Sequence, residues 1–280
     1  MIKLIVSDLD NTLLNSSSQV SSYTGEVIAR CQSEGYVFAL ATARARRATR
    51  DFALSSPVAA QRARSGVRNI RSEVLGAEIF PDYRITNNGA TVWAADALVS
   101  SLNIPGEIVS QLMERFLATP QVSHIMVEYG DTCMTTVDES LWVPPYEIVR
   151  TDFLSFETFD TPKLSIECED WEIAHSLLEG LPQVRMYSNQ GVPWHQVVSS
   201  KVDKGFGLQR VAEDLGVSPQ EIVCFGDDVN DLPMLGSCAT FVAVSNAVGQ
   251  VKERATHVCD SNQEDGVAKW MEENLLTSQY

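Results

Sequence analysis

The sequence predicts an α/β fold, in which a core with a parallel sheet is interrupted by an inserted α+β domain. Its 280 residues correspond to two domains at a typical length of about 150 residues each. Near both ends of the chain, short apolar runs rich in β-branched residues alternate with helical patterns, as in a parallel sheet covered by helices. In the middle, strand-like and helical stretches are separated by charged and proline-rich turns. We therefore expect the core at 1–89 and 186–280, and the inserted domain at 90–185.

Four short apolar runs predict the strands of the core. They are Ile2–Val6, Tyr36–Ala41, Glu221–Phe225 and Thr240–Val244. A helix is indicated ahead of the third run by apolar residues spaced three and four apart, with Gly216 as its C-cap. Ligands of parallel sheets bind beyond the carboxyl ends of the strands, so we expect the functional residues in the polar loops that follow these runs.

The expected inserted domain mixes strand-like and helical segments. The predicted strands are Ala90–Ala94, Val122–Tyr129, Cys133–Val137, Lys163–Cys168 and Val184–Tyr187, and the predicted helices are Gly106–Ala118 and Asp170–Glu179. The parallel pattern resumes after about Gln190, which indicates that this unit is inserted into the core.

The composition narrows the class of protein. Lys and Arg number 21 against 37 Asp and Glu, and the resulting net charge of -16 repels nucleic acid and anionic membranes. No stretch approaches the roughly 20 apolar residues of a membrane-spanning helix, and Asp8 and Asp10 interrupt the N-terminal apolar run before a signal peptide could form. The six cysteines are scattered without a CxxC pair, as in proteins of a reducing compartment. We expect a soluble, cytoplasmic protein with no nucleic-acid or membrane partner.

Acidic side chains follow two of the predicted strands. Asp8 and Asp10 come at the end of the first run, one residue apart on a strand-to-loop turn. Asp227, Asp228 and Asp231 follow the third run, where a helix begins. Both sets should reach the same edge of the sheet, where the carboxylates repel each other unless a cation lies between them. Mg²⁺, which prefers oxygen ligands, fits such a site best.

These motifs and two others resemble the haloacid dehalogenase (HAD) superfamily of phosphohydrolases, specifically its Cof-type branch with a large α/β cap. The segments that match in order are Asp8–Leu13, Ala41–Arg44, Lys204–Gly205 and Gly226–Asp231 followed by Ser245–Ala247. Asn88–Ala90 and Glu264–Ala268 also look like that branch. The resemblance covers the whole core and matches the cap in placement only. It implies a Rossmann-like core and phosphatase activity.

By this resemblance, Asp8 and Asp10 are the catalytic residues. Asp8 would attack phosphorus and become an aspartyl phosphate, and Asp10 would act as general acid and then general base. Mg²⁺ would be held by the Asp8 carboxylate, the Asp10 backbone carbonyl and Asp227.

The resemblance also implies a set of residues that bind the phosphoryl group. They are Thr42, Arg44, Lys204 and Asn230. Lys204 adds fixed positive charge at a helix N-terminus. Asp231 would support the metal shell or Lys204. Lys201 could compete with Lys204 for the same role, but the Lys-Gly pair and the helix after it favour Lys204.

Two features depart from the family pattern. Ala43 stands where the family usually has glycine between the threonine and arginine of the second motif. The segment from Arg44 to Asn88 also looks longer than is common, and eight arginines lie between Arg44 and Arg71, with Asp51 as the only acid among them. These arginines could steer anionic substrates or hold a partner; a solvated helix face with a mobile loop is the interpretation that we favour.

The expected function is that of a Mg²⁺-dependent phosphatase acting on a small phosphorylated metabolite, with sugar phosphates as the expected substrates. A sugar phosphomutase on a related core is an alternative, as is a non-catalytic phospho-acceptor or partner-binding protein. Four residues of the expected cap could face a substrate: Tyr129, Arg150, Arg185 and Tyr187. His195, near the return to the core, is expected to be structural.

Overall fold

A computed structural model describes residues 1–50, 81–138, 148–188 and 192–276 of the chain. Within these residues, the strands are β1 Leu4–Asp8, β2 Val37–Ala41, β3 Tyr83–Thr86, β4 Thr91–Ala94, β5 Ala97–Ser101, β6 Val122–Tyr129, β7 Thr132–Thr135, β8 Val149–Arg150, β9 Leu164–Cys168, β10 Val184–Ser188, β11 Trp194–Ser199, β12 Ile222–Gly226, β13 Thr240–Val244 and β14 His257–Cys259. The α-helices are α1 Ser22–Ser33, α2 Arg47–Arg50, α3 Gly106–Ala118, α4 Trp171–Ser176, α5 Lys204–Leu215, α6 Gly249–Arg254 and α7 Gly266–Leu275. None of the described helices is long and apolar enough to span a membrane.

The chain divides into two compact units. The first comprises Met1–Arg44, Ala48–Ser100 and Asp203–Tyr280, and the second comprises Ala45–Arg47 and Ser101–Val202. The first unit contains an eight-stranded sheet in the order β14-β13-β12-β1-β2-β3-β4-β5, and the second a six-stranded sheet in the order β10-β11-β9-β6-β7-β8. The predicted α/β class is thereby confirmed.

The central strands of the first sheet are parallel, and every residue of β1 and β12 is buried. Such strands consist of continuous apolar runs because helices cover both faces of a parallel sheet. Helix α5 ends at Gly216, whose φ of 65° is left-handed, so the predicted glycine C-cap is confirmed. Strand β1 extends two residues beyond its predicted end, so that Asp8 is its last residue and not a loop residue.

The second unit has its own apolar core. Helix α3 buries one face, which includes Leu112 and Phe116, in the same cluster as Ile125 of β6 and Ile166 of β9. All strand pairs of this sheet are antiparallel except β7 with β8.

The two units divide after Ser100 and after Val202, later in the chain than the expected boundaries at 89/90 and 185/186. Strand β4, predicted in the insertion, pairs antiparallel with β3 and belongs to the first sheet. Strand β11, predicted in the core, pairs antiparallel with β10 and β9 in the second sheet. A strand pattern in the sequence indicates that a strand forms, but it does not identify the sheet to which that strand belongs. The second unit therefore takes up Ser101–Val202.

Candidate active site

The ends of three parallel strands bring the predicted acids together. Ser7 of β1 lies opposite Phe225 of β12, so Asp8 and the Gly226–Asp227 segment leave the sheet side by side. Asp8 also lies opposite Ala41, the last residue of β2, which places Thr42 at the same edge. The parallel register thus gathers the motifs that lie far apart in sequence.

Small residues allow helix α5 to start at this edge. Asp203 caps the helix by accepting a hydrogen bond from the Phe206 N–H, at 2.8 Å. A Cβ added to Gly205 would lie 2.3 Å from the Pro233 carbonyl oxygen. Gly89 has a φ of 99°, and a Cβ there would lie 2.0 Å from the Asp203 carbonyl oxygen. The Lys-Gly pair and the Asn-Gly-Ala segment therefore match the need for close backbone approach.

Lys204 is the first residue of α5, and its ammonium group lies among the acids. Its Nζ is 2.6 Å from Asp8 Oδ1 and 2.6 Å from Asp231 Oδ1, and it also donates to Asn230 Oδ1 at 3.5 Å. Lys204, Asp8 and Asp231 are all buried, with 2%, 5% and 0% of their surface exposed. Lys204 thus makes two charge-assisted hydrogen bonds in a site from which most water is excluded.

Asp231 holds the loop that carries Asp227. Its Oδ2 accepts the backbone N–H groups of Asp227 and Asp228, at 2.9 and 3.1 Å, while Oδ1 binds Lys204. Gly226 leaves room for this side chain, since a Cβ at that position would lie 2.7 Å from Asp231 Cβ. Asp231 is therefore a buried support for both Lys204 and Asp227, as the resemblance allowed.

Thr12 orients the Asp227 carboxylate. The Thr12 hydroxyl donates to Asp227 Oδ1 at 2.8 Å, and Thr12 is 1% exposed. The backbone carbonyl of Asp227 accepts the Val248 N–H at 2.9 Å. Sequence reasoning assigned Thr12 no role, although it is the threonine of the Asp8–Leu13 motif.

The buried charges do not balance. One oxygen atom from each of Asp8, Asp227 and Asp231 lies within 4.8 Å of the others. With Lys204 as the buried cation bonded to two of them, three negative charges face one positive charge, which leaves a net charge of -2. A divalent cation would neutralise that excess.

The pKa values reflect this crowding. Burial raises the pKa of Asp8 well above its ordinary value; the Lys204 ammonium opposes the shift, and Asp231 adds to it. Burial, with repulsion from Asp231, raises the pKa of Asp227 to about 6. For Lys204, burial alone would lower the pKa, but the carboxylates of Asp231 and Asp8 outweigh it and raise the pKa, so this side chain stays charged.

The donor set fits a hard divalent cation such as Mg²⁺. The available donors are carboxylate oxygens, which Mg²⁺ prefers. Both oxygens of Asp231 already accept hydrogen bonds, so Asp8 and Asp227 are the carboxylates that remain for a cation. Asp10 contributes its carboxylate to a different interaction.

Asp10 forms an ion pair with Arg44. Arg44 Nε lies 2.9 Å from Asp10 Oδ2 and Arg44 Nη2 lies 2.5 Å from Oδ1, which is a bidentate arrangement. The Arg44 backbone N–H donates to the Thr42 hydroxyl at 3.1 Å. The resemblance implied that Arg44 binds phosphate, whereas the structure pairs it with the predicted acid/base residue.

Comparison with known proteins identifies the family of this chain. The family model described as haloacid dehalogenase-like hydrolase matches residues 5–271. The chain belongs to this family. The 5-amino-6-(5-phospho-D-ribitylamino)uracil phosphatase YitU of Bacillus subtilis is 23% identical to this haloacid dehalogenase-like protein over 294 residues, covering 96% of each chain.

Solved structures of other members have the same fold. A haloacid dehalogenase-like hydrolase from Bacteroides thetaiotaomicron superposes with a TM-score of 0.77 at 25% identity, covering 98% of this chain and 99% of that one. A subclass IIB sugar phosphatase superposes with a TM-score of 0.73 at 21% identity, covering 97% and 98%. With the family established and its curated relatives named as phosphatases, this haloacid dehalogenase-like protein is a phosphatase.

The other residues singled out in the sequence have mixed outcomes. His195 is 3% exposed and bonds to Ser188 Oγ at 2.7 Å and to the Cys168 carbonyl at 2.9 Å, which is a structural role. In the second unit, Tyr187 donates to the Val202 carbonyl at 3.4 Å, while Tyr129 is 54% exposed. A substrate-facing role for Tyr129, Arg150, Arg185 or Tyr187 stays a prediction.

Two arginines near the start of the arginine-rich segment are buried instead of solvated. Arg46 and Arg47 are 8% and 5% exposed and form ion pairs, within the second unit, with Asp131 and Glu128 respectively. The interpretation of a solvated helix face is therefore wrong for these two residues, because the acids on β6 and in the following turn attract them. The later arginines, Arg62, Arg64, Arg68 and Arg71, lie outside the described residues.

Proposed function

We propose that this haloacid dehalogenase-like phosphatase is Mg²⁺-dependent and releases phosphate from a small phosphorylated metabolite, a sugar phosphate being the substrate class that we favour. The observation that carries the proposal is the buried constellation in which Lys204 Nζ bridges Asp8 and Asp231 beside Asp227. Asp8 has the Lys204 ammonium as a fixed partner and Asp10 as a second acid two residues later. This arrangement suits covalent phosphoryl transfer.

The reaction is proposed to proceed in two displacements on Asp8. A carboxylate oxygen of Asp8 bonds to phosphorus as the bond from phosphorus to the leaving oxygen breaks, and Asp10 donates a proton to that oxygen. Water then attacks phosphorus and gives its proton to Asp10, which releases phosphate and restores the Asp8 carboxylate. Lys204 binds Asp8 Oδ1, which orients the carboxylate for the first displacement.

Thr42 and Asn230 each have a hydrogen-bond donor that can reach a phosphoryl oxygen. The Thr42 hydroxyl accepts from the Arg44 N–H, so its proton can be donated to the phosphoryl group. Asn230 Oδ1 accepts from Lys204, so its Nδ2 group is the part that can donate to a phosphoryl oxygen. Lys204 supplies positive charge that does not have to reorganise during the reaction.

Mg²⁺ would be held by the carboxylates of Asp8 and Asp227 and by the Asp10 backbone carbonyl. When bound, it would screen the repulsion between the anionic nucleophile and the anionic phosphate. Support for this assignment comes from the all-oxygen donor set and from the net charge of -2 that the buried side chains leave.

The relatives suggest where to look for the substrate. The names of two of them describe phosphatases for a phosphorylated ribityl compound and for sugar phosphates. Both compound classes are phosphomonoesters of polyhydroxylated carbon chains. We propose the same class for this chain.

A phosphate-release screen tests the function. The panel contains sugar phosphates and 5-amino-6-(5-phospho-D-ribitylamino)uracil, assayed with and without Mg²⁺ for the parent protein and Asp8→Asn. We expect release from at least one compound with Mg²⁺ only, and at least a 1,000-fold loss, on the order seen for nucleophile removal, in Asp8→Asn. The control is Asp260→Asn, which removes an exposed carboxylate that is paired with Lys269 at 2.8 Å and should keep full activity.

Mass spectrometry tests the intermediate. Asp10→Asn should slow both displacements, but an activated ester such as p-nitrophenyl phosphate needs no proton on its leaving group, so with this substrate the second displacement becomes the slow step. Protein that is quenched during turnover should then carry one added phosphoryl group on Asp8. Full activity of Asp8→Asn would rule out the mechanism. An isomeric phosphate without free phosphate would identify a mutase instead.

A further inference from the structure

The Ser245–Ala247 turn after β13 has no role in the proposed chemistry, yet it contacts the loop after Asp10. Asn246 Nδ2 donates to the Asn11 carbonyl at 2.8 Å. Asn11 adopts a left-handed conformation, with a φ of 58°, between the catalytic acid and Thr12. Asn246 therefore holds the peptide between Asn11 and Thr12, which begins one residue after Asp10.

The orientation of this amide is determined by its second partner. Asn246 Oδ1 accepts the backbone N–H of Asn262 at 3.0 Å. A backbone N–H can only donate and a backbone carbonyl can only accept, so the two contacts together exclude a flipped amide. Asn262, which is 8% exposed, also donates its own Nδ2 to the Leu14 carbonyl at 2.7 Å.

The same turn also reaches the second acidic loop. Two residues after Asn246, the Val248 N–H donates to the Asp227 carbonyl at 2.9 Å. Asn246 thus contacts the loop that follows Asp10, and Val248 contacts the loop that carries Asp227. Thr12 joins those two loops directly, through its bond to Asp227 Oδ1. The turn is a second, parallel link between them.

We infer that Asn246 is a positioning residue, which fixes the loop of Asp8 and Asp10 relative to Asp227 and so preorganises the oxygen atoms that would bind Mg²⁺. The inference rests on the proposed function. Groups that orient metal ligands from outside the coordination shell commonly change metal affinity by roughly tenfold or more when removed. Because Thr12 keeps the direct link, a smaller effect is expected here.

Calorimetric titration with Mg²⁺ tests the inference on the parent protein, Asn246→Ala and Asn246→Asp. The aspartate variant keeps an acceptor for the Asn262 N–H but lacks the donor to Asn11. Its added negative charge by itself favours Mg²⁺ binding, so a higher dissociation constant in this variant reports the lost bond. We expect the Mg²⁺ dissociation constant to rise roughly threefold to tenfold in both variants. At saturating Mg²⁺ the KM for substrate should stay within about twofold, because no substrate contact is removed.

Asn274→Ala is the matched control. Asn274 Nδ2 donates to the Trp270 carbonyl at 2.8 Å, the same type and length of exposed bond, but on helix α7. Its loss should leave the Mg²⁺ dissociation constant unchanged. Asn246 is itself exposed, so its variants should fold, and their unfolding midpoints without metal should match that of the control.

Each outcome separates the inference from the function on which it rests. If the parent protein binds Mg²⁺ and the Asn246 variants bind it equally well, the positioning role is contradicted and the proposed function stands. If Asn246→Ala, Asn246→Asp and Asn274→Ala all lower the unfolding midpoint and all lose Mg²⁺ affinity to the same extent, the effect reflects stability alone and the positioning role is contradicted. If the parent protein binds no Mg²⁺, both the proposed metal dependence and this inference are contradicted.

Discussion

Lys204 shows how single residues control the electrostatics of this site. Burial of an ammonium group favours its neutral form, but the two carboxylates at 2.6 Å outweigh that penalty. Its side chain therefore remains a fixed cation beside the nucleophile. The sequence left Lys201 as a competitor for this position, and the structure leaves that residue exposed while Lys204 is buried among the acids.

The pairing of Arg44 with Asp10 leads to a prediction at the same scale. Arg44→Ala removes the bidentate bond that holds the acid/base carboxylate, and Arg44→Lys keeps the charge but cannot form the two-point contact. We expect kcat to fall about tenfold in the alanine variant, with partial recovery in the lysine variant and KM within about twofold of the parent value.

Steady-state kinetics at saturating Mg²⁺ measure both constants. Arg30→Ala is the control, since Arg30 forms a comparable exposed pair with Glu272. A higher KM at unchanged kcat would instead assign Arg44 to the substrate phosphate, as the family resemblance implied.

At the scale of elements, helix α5 depends on small residues along its first turns. Gly205 lies against the Pro233 carbonyl, and Gly207 lies against Ile85, where an added Cβ would come within 2.3 Å of the Cγ2 atom. Leu208 and Val211 on the same helix are fully buried in the core of the first unit. The helix therefore combines an apolar face with glycines that bring its N-terminus, and Lys204, close to the strand ends.

Gly205→Ala tests this packing. The new methyl group meets a backbone carbonyl that cannot rotate away, so the first turn of α5 must shift, at a cost of about 1 to 3 kcal/mol in the free energy of unfolding. Gly249→Ala is the control, because Gly249 begins helix α6 and nothing lies within 4 Å of an added Cβ. Chemical denaturation should show a loss for the first variant and no loss for the second; equal stabilities would contradict the close approach.

At the scale of the whole molecule, the net charge of -16 repels an anionic substrate, so the proposed function requires additional positive charge at the site. Around Lys204 the buried side chains still leave a net charge of -2. Burial, with repulsion from Asp231, raises the pKa of both Asp8 and Asp227. The metal-free protein therefore contains repulsion that a bound dication would remove.

The thermal stability of the full chain should reflect the repulsion among these buried carboxylates. Mg²⁺ that binds only the folded state stabilises it by about 2.7 kcal/mol at a concentration 100 times its dissociation constant, so the unfolding midpoint should rise with Mg²⁺ and fall again on chelation. Asp227→Asn should remove the dependence on Mg²⁺ and raise the midpoint of the metal-free protein, because one buried negative charge is lost. An unchanged Mg²⁺ response in this variant would contradict the role of Asp227.

The sequence by itself determined the fold class, four strands of the core sheet (β1, β2, β12 and β13) and the acid motifs that follow two of them. These depend on local patterns, namely apolar runs of strand length, helical spacing and polar residues where a strand stops. The same patterns indicated that Asp8 and Asp227 should meet, because parallel strands present their carboxyl ends at one edge. The resemblance to the family added Thr42 and Lys204 to that site.

Only the tertiary structure decided which elements and side chains are partners. It assigned β4 to the first sheet and β11 to the second, and it paired Arg44 with Asp10. It also identified the contact of Thr12 with Asp227 and that of Asn246 with Asn11. These two contacts join residues that are 215 and 235 positions apart, and no local pattern encodes them, because such partners are selected by the packing of the complete chain.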